Sequence, residues 1–336
     1  MKLLFTLDYE LFLGHKTGTV DCCLIQPLNF YLEAVRNYGV HFTIFVDAAY
    51  LYMLEKYKAK YANLKVDYEK IVHHLRNLQL QGHDIQLHIH PQWYFSTYDG
   101  ETWHLDTRHY KLSDVPTETM QHLLKASKNI LDNIINKKTI AFRAGGFSAQ
   151  PTKLLIGLFK DNDLVIDSSV CPGEYYDSQY QQYDYRSVVN TEVYHFGEDI
   201  CQEQMCGTFV EVPLSMYRVT PWFHWKLLFV RLMTKMIKNA KHNVYGNGQS
   251  VRTANSSIFH RLSHDCSTMV TIDGYKIAFL KDAIQEKAKL GKNMMCILGH
   301  PKLATPYSVK KISEICAYAN EKGYSSCTIT ELLKED

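Results

Sequence analysis

Apolar strand-like runs alternate with amphipathic helix-like runs along this chain, and five of the strand-like runs end on ionisable residues. That order constrains the fold more than any other feature. Residues 2–8 (KLLFTLD) read as a buried strand, and 27–38 as a helix with proline at its start and Gly39 just past its end. Residues 40–46 (VHFTIFV) are β-branched and aromatic, which predicts a second strand. Apolar positions 68, 71, 72, 75 and 78 give 67–81 a helical spacing that stops at Gly82. Strand 84–89, helix 117–136, strand 139–143, helix 151–161 and strand 164–168 follow. After an irregular Tyr-, Gln- and Asp-rich segment come strand 208–214, helices near 222–240 and 273–290, strand 293–299, helix 307–322 and a last strand–helix at 324–334. Strands separated by helices predict parallel βαβ units, and seven or eight of them predict a (β/α) barrel, complete or one strand short. No Pro/Gly-rich linker and no repeat breaks the pattern. The expectation is one domain over 1–336, with insertions near 92–116 and 171–207 and an unusual stretch at 241–268.

Composition narrows the function. The 336 residues are 46% hydrophobic and 21% charged, which excludes a disordered, collagen-like or coiled-coil chain. Lys plus Arg number 37 against 35 for Asp plus Glu, so a net charge of +2 gives no reason to expect nucleic acid as a partner. No window of 18 apolar residues predicts a membrane span, and Asp8 and Glu10 interrupt the first apolar run too early for a signal peptide. The nine cysteines are an odd count with no CxxC and no zinc-finger spacing. Cys296, Cys316 and Cys327 lie in apolar stretches and read as small buried hydrophobes. A reduced, cytoplasmic protein is expected.

In a parallel barrel the chemistry sits where strands end. The first strand ends in Asp8-Tyr9-Glu10 and a later one in His88-Ile89-His90, and residues at i and i+2 share a face. Further strands end in Arg143, followed by Ala144-Gly145-Gly146-Phe147, in Asp167, and in His300-Pro301. Each has a plainer reading. Asp8 and Glu10 could open a solvated loop, His88 could be a bonded core histidine, and His90 and His300 could be loop residues. Arg143 could be an ordinary ion pair and Asp167 a cap. The ordered set outweighs these readings. Two imidazoles with neighbouring carboxylates are a metal-hydrolase inventory, since such ligands suit Zn²⁺ and related divalent ions. A carboxylate can take a proton from water, and a histidine can give one to a leaving amine.

The order TLDYE, GHDIQLHIHPQW, FRAGGFS, IDSS and LGHPK resembles the five motifs of the polysaccharide deacetylases, the NodB-homology or carbohydrate esterase family 4 group. The resemblance runs from about residue 3 to residue 303, and GVHFTIFVD at 39–47 is similar to that family's second strand. It implies a divergent, cytoplasmic member with a distorted (β/α)7 barrel, an incomplete TIM-like barrel with insertions. The implied reaction removes an N-acetyl group from an amino sugar or polysaccharide precursor, with Zn²⁺ or another divalent metal. Residue by residue, Asp8 matches the catalytic base, Glu10 a metal carboxylate, and His88 the first metal histidine. Arg143 matches the arginine that orients the base, His300 the general acid, and Asp167 the acid that tunes it. The chain departs from the pattern in four places. Glu10 replaces the usual Asp, and Gln92 stands where a second metal histidine is usual, so that His90 is expected to take that role. Gly145-Gly146-Phe147 replaces Pro-Pro-Tyr, still leaving backbone N–H groups for an oxyanion. Ser168 and Ser169 follow Asp167 in place of an aromatic. Two rivals remain: a glycosidase with two carboxylates, and a metal-independent or inactive sugar-binding barrel.

Residues 221–241 combine Trp222, Trp225, Phe229 and Met236 with six basic residues, His224 included. That composition suits a helix packed on the barrel with its basic face in water, or an interfacial helix on an anionic membrane. The two differ in the exposure of Trp222 and Trp225. The Tyr/Gln-rich segment 171–186 could stack on sugar rings or be a plain surface insertion.

Overall fold

A computed structural model describes residues 1–189, 192–236, 241–251 and 258–333. The main sheet contains β1 (Lys2–Tyr9), β2 (Phe42–Asp47), β3 (Asp84–Ile89), β4 (Ala141–Ala144), β5 (Ile166–Asp167), β6 (Tyr194–Phe196), β7 (Phe209–Glu211), β8 (Met294–Gly299) and β9 (Ser325–Ser326). The strands run in the order β6-β7-β5-β4-β3-β2 in one of the two units described below, and β8 and β9 both lie on β1 in the other. Pairings β2–β3, β3–β4, β4–β5, β5–β7, β1–β8 and β1–β9 are parallel, and β6–β7 is antiparallel. The helices are α1 (Gln26–Val35), α2 (Ala48–Tyr57), α3 (Ala62–Leu80), α4 (Thr117–Ile135), α5 (Thr152–Asp161), α6 (Pro221–Met236), α7 (Leu280–Lys289) and α8 (Pro306–Glu321). This is the expected α/β fold, an incomplete (β/α) barrel. Its strands β1, β2, β3 and β8 are buried almost end to end, which is why they read as continuous apolar runs.

The chain forms two compact units, Met1–Val40 with Ser215–Cys327, and His41–Leu214 with Thr328–Asp336. In the first, β1 and β8 run in register from Lys2↔Met294 to Leu7↔Gly299. Helix α8 opens with Pro306 behind Thr305, whose hydroxyl accepts from Ser308 N at 3.0 Å while Ser308 Oγ accepts from Thr305 N at 2.9 Å. Tyr31 of α1 ties into the same core, its hydroxyl 2.9 Å from Ser308 Oγ and 3.1 Å from the Ile272 carbonyl. Cys296, Cys316 and Cys327 are buried, as their surroundings in the sequence predict.

In the second unit, parallel register sets three strand ends side by side: Asp47 pairs with His88 and His88 with Arg143. The Gln86 side-chain carbonyl accepts from the backbone N–H groups of Ile140 (3.0 Å) and Ala141 (2.8 Å), so a side chain does the work of a ladder where β4 begins. Helix α2 follows Asp47 directly and is not expected from the sequence. Six of its ten residues are buried, so it lacks the two-sided pattern that marks a helix. Segment 92–116 holds a small hairpin, Thr97–Tyr98 with Trp103–His104. Segment 171–207 is less irregular than expected. It contains a hairpin of Tyr175–Asp177 with Gln182–Asp184, followed by β6. Tyr183 and Tyr185 of that segment are buried and stacked at 4.9 Å, so they are core rather than a sugar platform.

Expected helix 273–290 divides into a 3-10 stretch, Gly274–Phe279, and α7. The expected helix near 222–240 is α6, residues 237–240 lying outside the described residues. The stretch 241–268 includes a short helix, Ile258–Ser263, and a strand, Cys266–Met269, paired antiparallel with Met216–Val219; residues 252–257 are outside the description. No described helix is long and apolar enough to cross a membrane.

Candidate functional site

In the first unit the ladder of β1 on β8 ends at Leu7↔Gly299, so Asp8 and His300 are each the next residue beyond the pairing. A Cβ at Gly299 would meet Leu7 Cδ2 at 2.7 Å and Ile272 Cγ1 at 2.6 Å; only glycine lets these segments approach so closely. A parallel bridge, Thr271↔Leu298, with Ile272 N donating to Leu298 O at 2.9 Å, lays residues 271–273 along the end of β8. Asp273 therefore reaches His300 twice. Its Oδ1 accepts from the His300 backbone N–H at 2.7 Å, and its Oδ2 lies 2.8 Å from Nδ1. A carboxylate only accepts, so Nδ1 carries the proton and Nε2 is the working nitrogen. Nε2 lies 3.7 Å from Asp8 Oδ2 and 3.8 Å from Glu10 Oε1. These are electrostatic distances rather than hydrogen bonds. Burial pulls the His300 pKa down. The charge and hydrogen bond of Asp273, with the charges of Asp8 and Glu10, outweigh it and hold the imidazole above its ordinary value. Asp8 and Glu10 are both buried, and Glu10 Oε1 accepts from Lys302 Nζ at 2.7 Å. The buried Lys302 also donates to the Leu11 carbonyl at 2.8 Å.

In the second unit His88 and His90 are buried, with rings 4.5 Å apart and nearly perpendicular. His88 Nδ1 is 2.7 Å from the Arg143 carbonyl, which can only accept. His90 Nδ1 lies 3.3 Å from Asp47 Oδ2, and the His90 backbone N–H donates to Asp47 Oδ1 at 3.2 Å. Trp93 Nε1 completes the shell of Asp47 at 2.8 Å. His88 is thus held through Nδ1 by a carbonyl, the support that leaves Nε2 as a ligand, whereas His90 Nδ1 stands at ion-pair distance from Asp47. A Cβ at Gly145 would meet Ile89 O at 2.6 Å and His90 Cδ2 at 2.7 Å, so the glycine makes room for the His90 ring. Gly146 and Phe147 beyond it both have positive φ, 59° and 60°.

Glu10 in the first unit and His88 and His90 in the second, the residues the resemblance offers to a metal ion, are each buried. The donor set fits: two imidazoles and one carboxylate are common ligands for zinc. Gln92, where the family pattern has a histidine, is wholly buried, and neither its amide oxygen nor its nitrogen finds a hydrogen-bond partner among the described residues.

Arg143 and Asp167 lie deeper than the sequence suggests. Arg143 is fully buried, donates to Ser168 O (2.8 Å) and Ser168 Oγ (2.9 Å), and stacks over the Phe45 ring at 4.1 Å. The Ser168 and Ser169 departures thereby acquire roles: Ser168 receives the guanidinium, and Ser169 Oγ accepts from Ala144 N at 2.9 Å. The resemblance assigned Asp167 to His300, but the carboxylate on His300 Nδ1 is Asp273. Asp167 instead accepts from Ser169 N at 2.8 Å and sits beside Glu211 in the β5–β7 register. Burial raises the Asp167 pKa well above the usual carboxylate range, against the opposing pull of Glu211, Ser169 and Arg143. Asp47, Asp273, Glu211 and Lys302 are the residues that sequence reasoning passed over. Asp47 and Lys302 do stand inside the quoted motifs GVHFTIFVD and LGHPK, which is the signal that was there to follow.

No protein-family profile matches the chain, and no curated protein matches it in sequence. Solved structures do match in fold. One described as a polysaccharide deacetylase from Mycobacterium smegmatis aligns over 99% of this chain and 89% of its own, at 13% identity and a TM-score of 0.51. Puue allantoinase aligns over 99% and 89%, at 11% identity and a TM-score of 0.50. A family 4 carbohydrate esterase from Streptomyces lividans, in complex with acetate, aligns over 98% and 92% at 13% identity, with a TM-score of 0.41. The fold is shared with deacetylase-type barrels.

Proposed function

We propose that this chain is a deacetylase-type hydrolase that removes an N-acetyl group from an amino sugar or polysaccharide precursor, using a divalent metal, zinc by donor preference. The observation that carries this reading is His300, held by Asp273 through Nδ1 and facing Asp8 and Glu10 through Nε2. Glu10, His88 and His90 would hold the metal. When bound, such an ion acidifies water and polarises a carbonyl. Asp8 accepts the proton of the attacking water. As the carbon–nitrogen bond breaks, His300 Nε2–H protonates the departing amine, with the charge and hydrogen bond of Asp273 favouring the protonated imidazole. Backbone N–H groups of Gly145, Gly146 and Phe147 would receive the negative charge that develops on the carbonyl oxygen. Asp167 and Arg143 position the surrounding strand ends through Ser168, Ser169 and Glu211. The odd cysteine count, with no CxxC and no zinc-finger spacing, suits a reducing compartment, so we place the reaction in the cytoplasm.

The test is acetate release from N-acetylated amino sugars and their oligomers, with metal content measured on the same samples. The expected outcome is about one zinc per chain, with activity lost on chelation and restored by the metal. One observation favours a metal-independent alternative: Lys302 already supplies Glu10 with a cation at 2.7 Å. Acetate release that survives chelation would support that alternative, and no release from any such substrate would overturn both.

A further inference from the structure

Helix α6 uses its residues in an unusual way. None of them is buried. Its inner face packs through Phe223, stacked on Tyr275 at 6.0 Å and edge-on to Phe279 at 5.1 Å. The opposite stripe carries Trp222, Trp225, Phe229, Leu232 and Met236, which recur at the three- and four-residue steps of one helical face. All five are exposed: Trp222 by 65%, Trp225 by 50%, Phe229 by 64%, Leu232 by 51% and Met236 by 79%. The short helix Ile258–Ser263 adds Phe259, exposed by 83%, and is tied to α6 by Trp225 Nε1 donating to Leu262 O at 3.1 Å. A ridge of this kind does not belong in bulk water.

The charge around the ridge says what covers it. From Val212 to His264 the sequence has no Asp or Glu but eight Lys and Arg, in a chain whose totals, these eight included, are nearly balanced at 37 and 35. Lys226 and Lys235 are exposed on α6 itself, and Lys226 Nζ lies 5.3 Å from the Trp222 ring centroid. A second copy of this chain docked through the same face would bring two basic helices together, which like charges oppose. An anionic bilayer supplies both things the surface lacks, a negative charge and an apolar layer. Tryptophan prefers the depth at which those two meet.

We propose that α6, together with the 258–263 turn, docks this protein on anionic membrane surfaces, with the Trp222–Met236 stripe inserted among the headgroups and the surrounding cations on the lipid charges. The helix lies in the plane of the interface; it does not span the bilayer. This surface is independent of the chemistry assigned to the strand ends.

Co-sedimentation of the full chain with vesicles of phosphatidylcholine alone, and of phosphatidylcholine with phosphatidylglycerol, tests the proposal at low and high salt. Binding to the anionic vesicles is expected, weakened by salt and slight on the neutral ones. Each cation near such a surface is worth about fivefold in affinity, so Lys226→Glu with Lys235→Glu lowers binding by at least about 25-fold. Phe229→Ser with Leu232→Ser lowers it comparably while leaving the fold intact. Vesicles of brominated lipid quench Trp222 and Trp225, and the other two tryptophans, Trp93 and Trp103, are buried and stay bright. The proposal is overturned by no binding at low salt, or by binding indifferent to both variant pairs. It is equally overturned by a polyanion such as RNA binding in place of vesicles without bromine quenching, and by a dimer that Phe229→Ser dissolves and vesicles do not compete with.

Discussion

At its strand ends this protein buries charge, and along α6 it exposes aromatic surface. Asp8, Glu10, His88, His90, Arg143, Asp167 and Lys302 are nearly inaccessible, whereas Trp222, Phe229 and Met236 are open to water. Both regions reverse the usual partition of side chains, and they differ in how the cost is met. The buried groups are answered one by one, His300 by Asp273, His90 by Asp47, Glu10 by Lys302 and Arg143 by Ser168. The aromatic stripe stays exposed instead, with Trp225 Nε1 donating to Leu262 O at its edge. Under the readings proposed above, the first pattern is that of a preorganised reaction centre and the second that of a surface built for another phase. A residue out of its ordinary place is informative in either case, but only its partners say which.

The comparison can be broken most sharply at the strand ends. Asp8→Asn and His300→Ala should each lower kcat by about 10²–10⁴-fold, the range of a lost general base or acid. Unchanged turnover in both would reduce the buried charges to structural pairs. Next in size are the histidine supports. Asp47→Asn should weaken metal affinity about 10–100-fold, and His90→Ala by more, as titration with a competing chelator would read out. If His90→Ala binds metal as well as the parent, Gln92 becomes the candidate ligand.

A third measurement separates positioning from packing. Asp273 raises the His300 pKa, so Asp273→Asn should lower it. The acid must be protonated to act, and the alkaline limb of kcat/KM should therefore move to lower pH. A loss of rate with an unmoved limb would point to packing alone. The fourth concerns stability. Asp167 has its folded pKa raised by burial, so the folded state binds a proton more tightly than the unfolded chain does. Its contribution is present below the ordinary carboxylate pKa and is lost as pH rises through the raised value. Each unit of that rise is worth about 1.4 kcal/mol, and denaturation midpoints of Asp167→Asn should fall less between acid and neutral pH than those of the parent. The smallest effect is expected on the other side of the comparison. Phe229→Ser should change unfolding free energy by less than about 0.5 kcal/mol, since the side chain is exposed. A loss of several kcal/mol would mean that the stripe is part of the fold after all.

The sequence by itself determined the strand–helix alternation and most of the reactive strand ends, because a parallel strand announces both its apolar body and the polar residue where it stops. Asp8, Glu10, His88, His90, Arg143, Asp167 and His300 were all legible in this way. Their partners were not. Asp273 meets His300 only because the bridge between Thr271 and Leu298 brings two separated segments together. Asp47 meets His90 only through the register of β2 on β3, and Glu211 meets Asp167 only through that of β7 on β5. Helical spacing likewise identified the Trp222–Met236 stripe but not its surroundings, since periodicity defines a face and is the same whether protein, water or lipid lies against it. What covers a face, and which carboxylate reaches which imidazole, are contacts between residues far apart in the chain, so tertiary structure alone decided them.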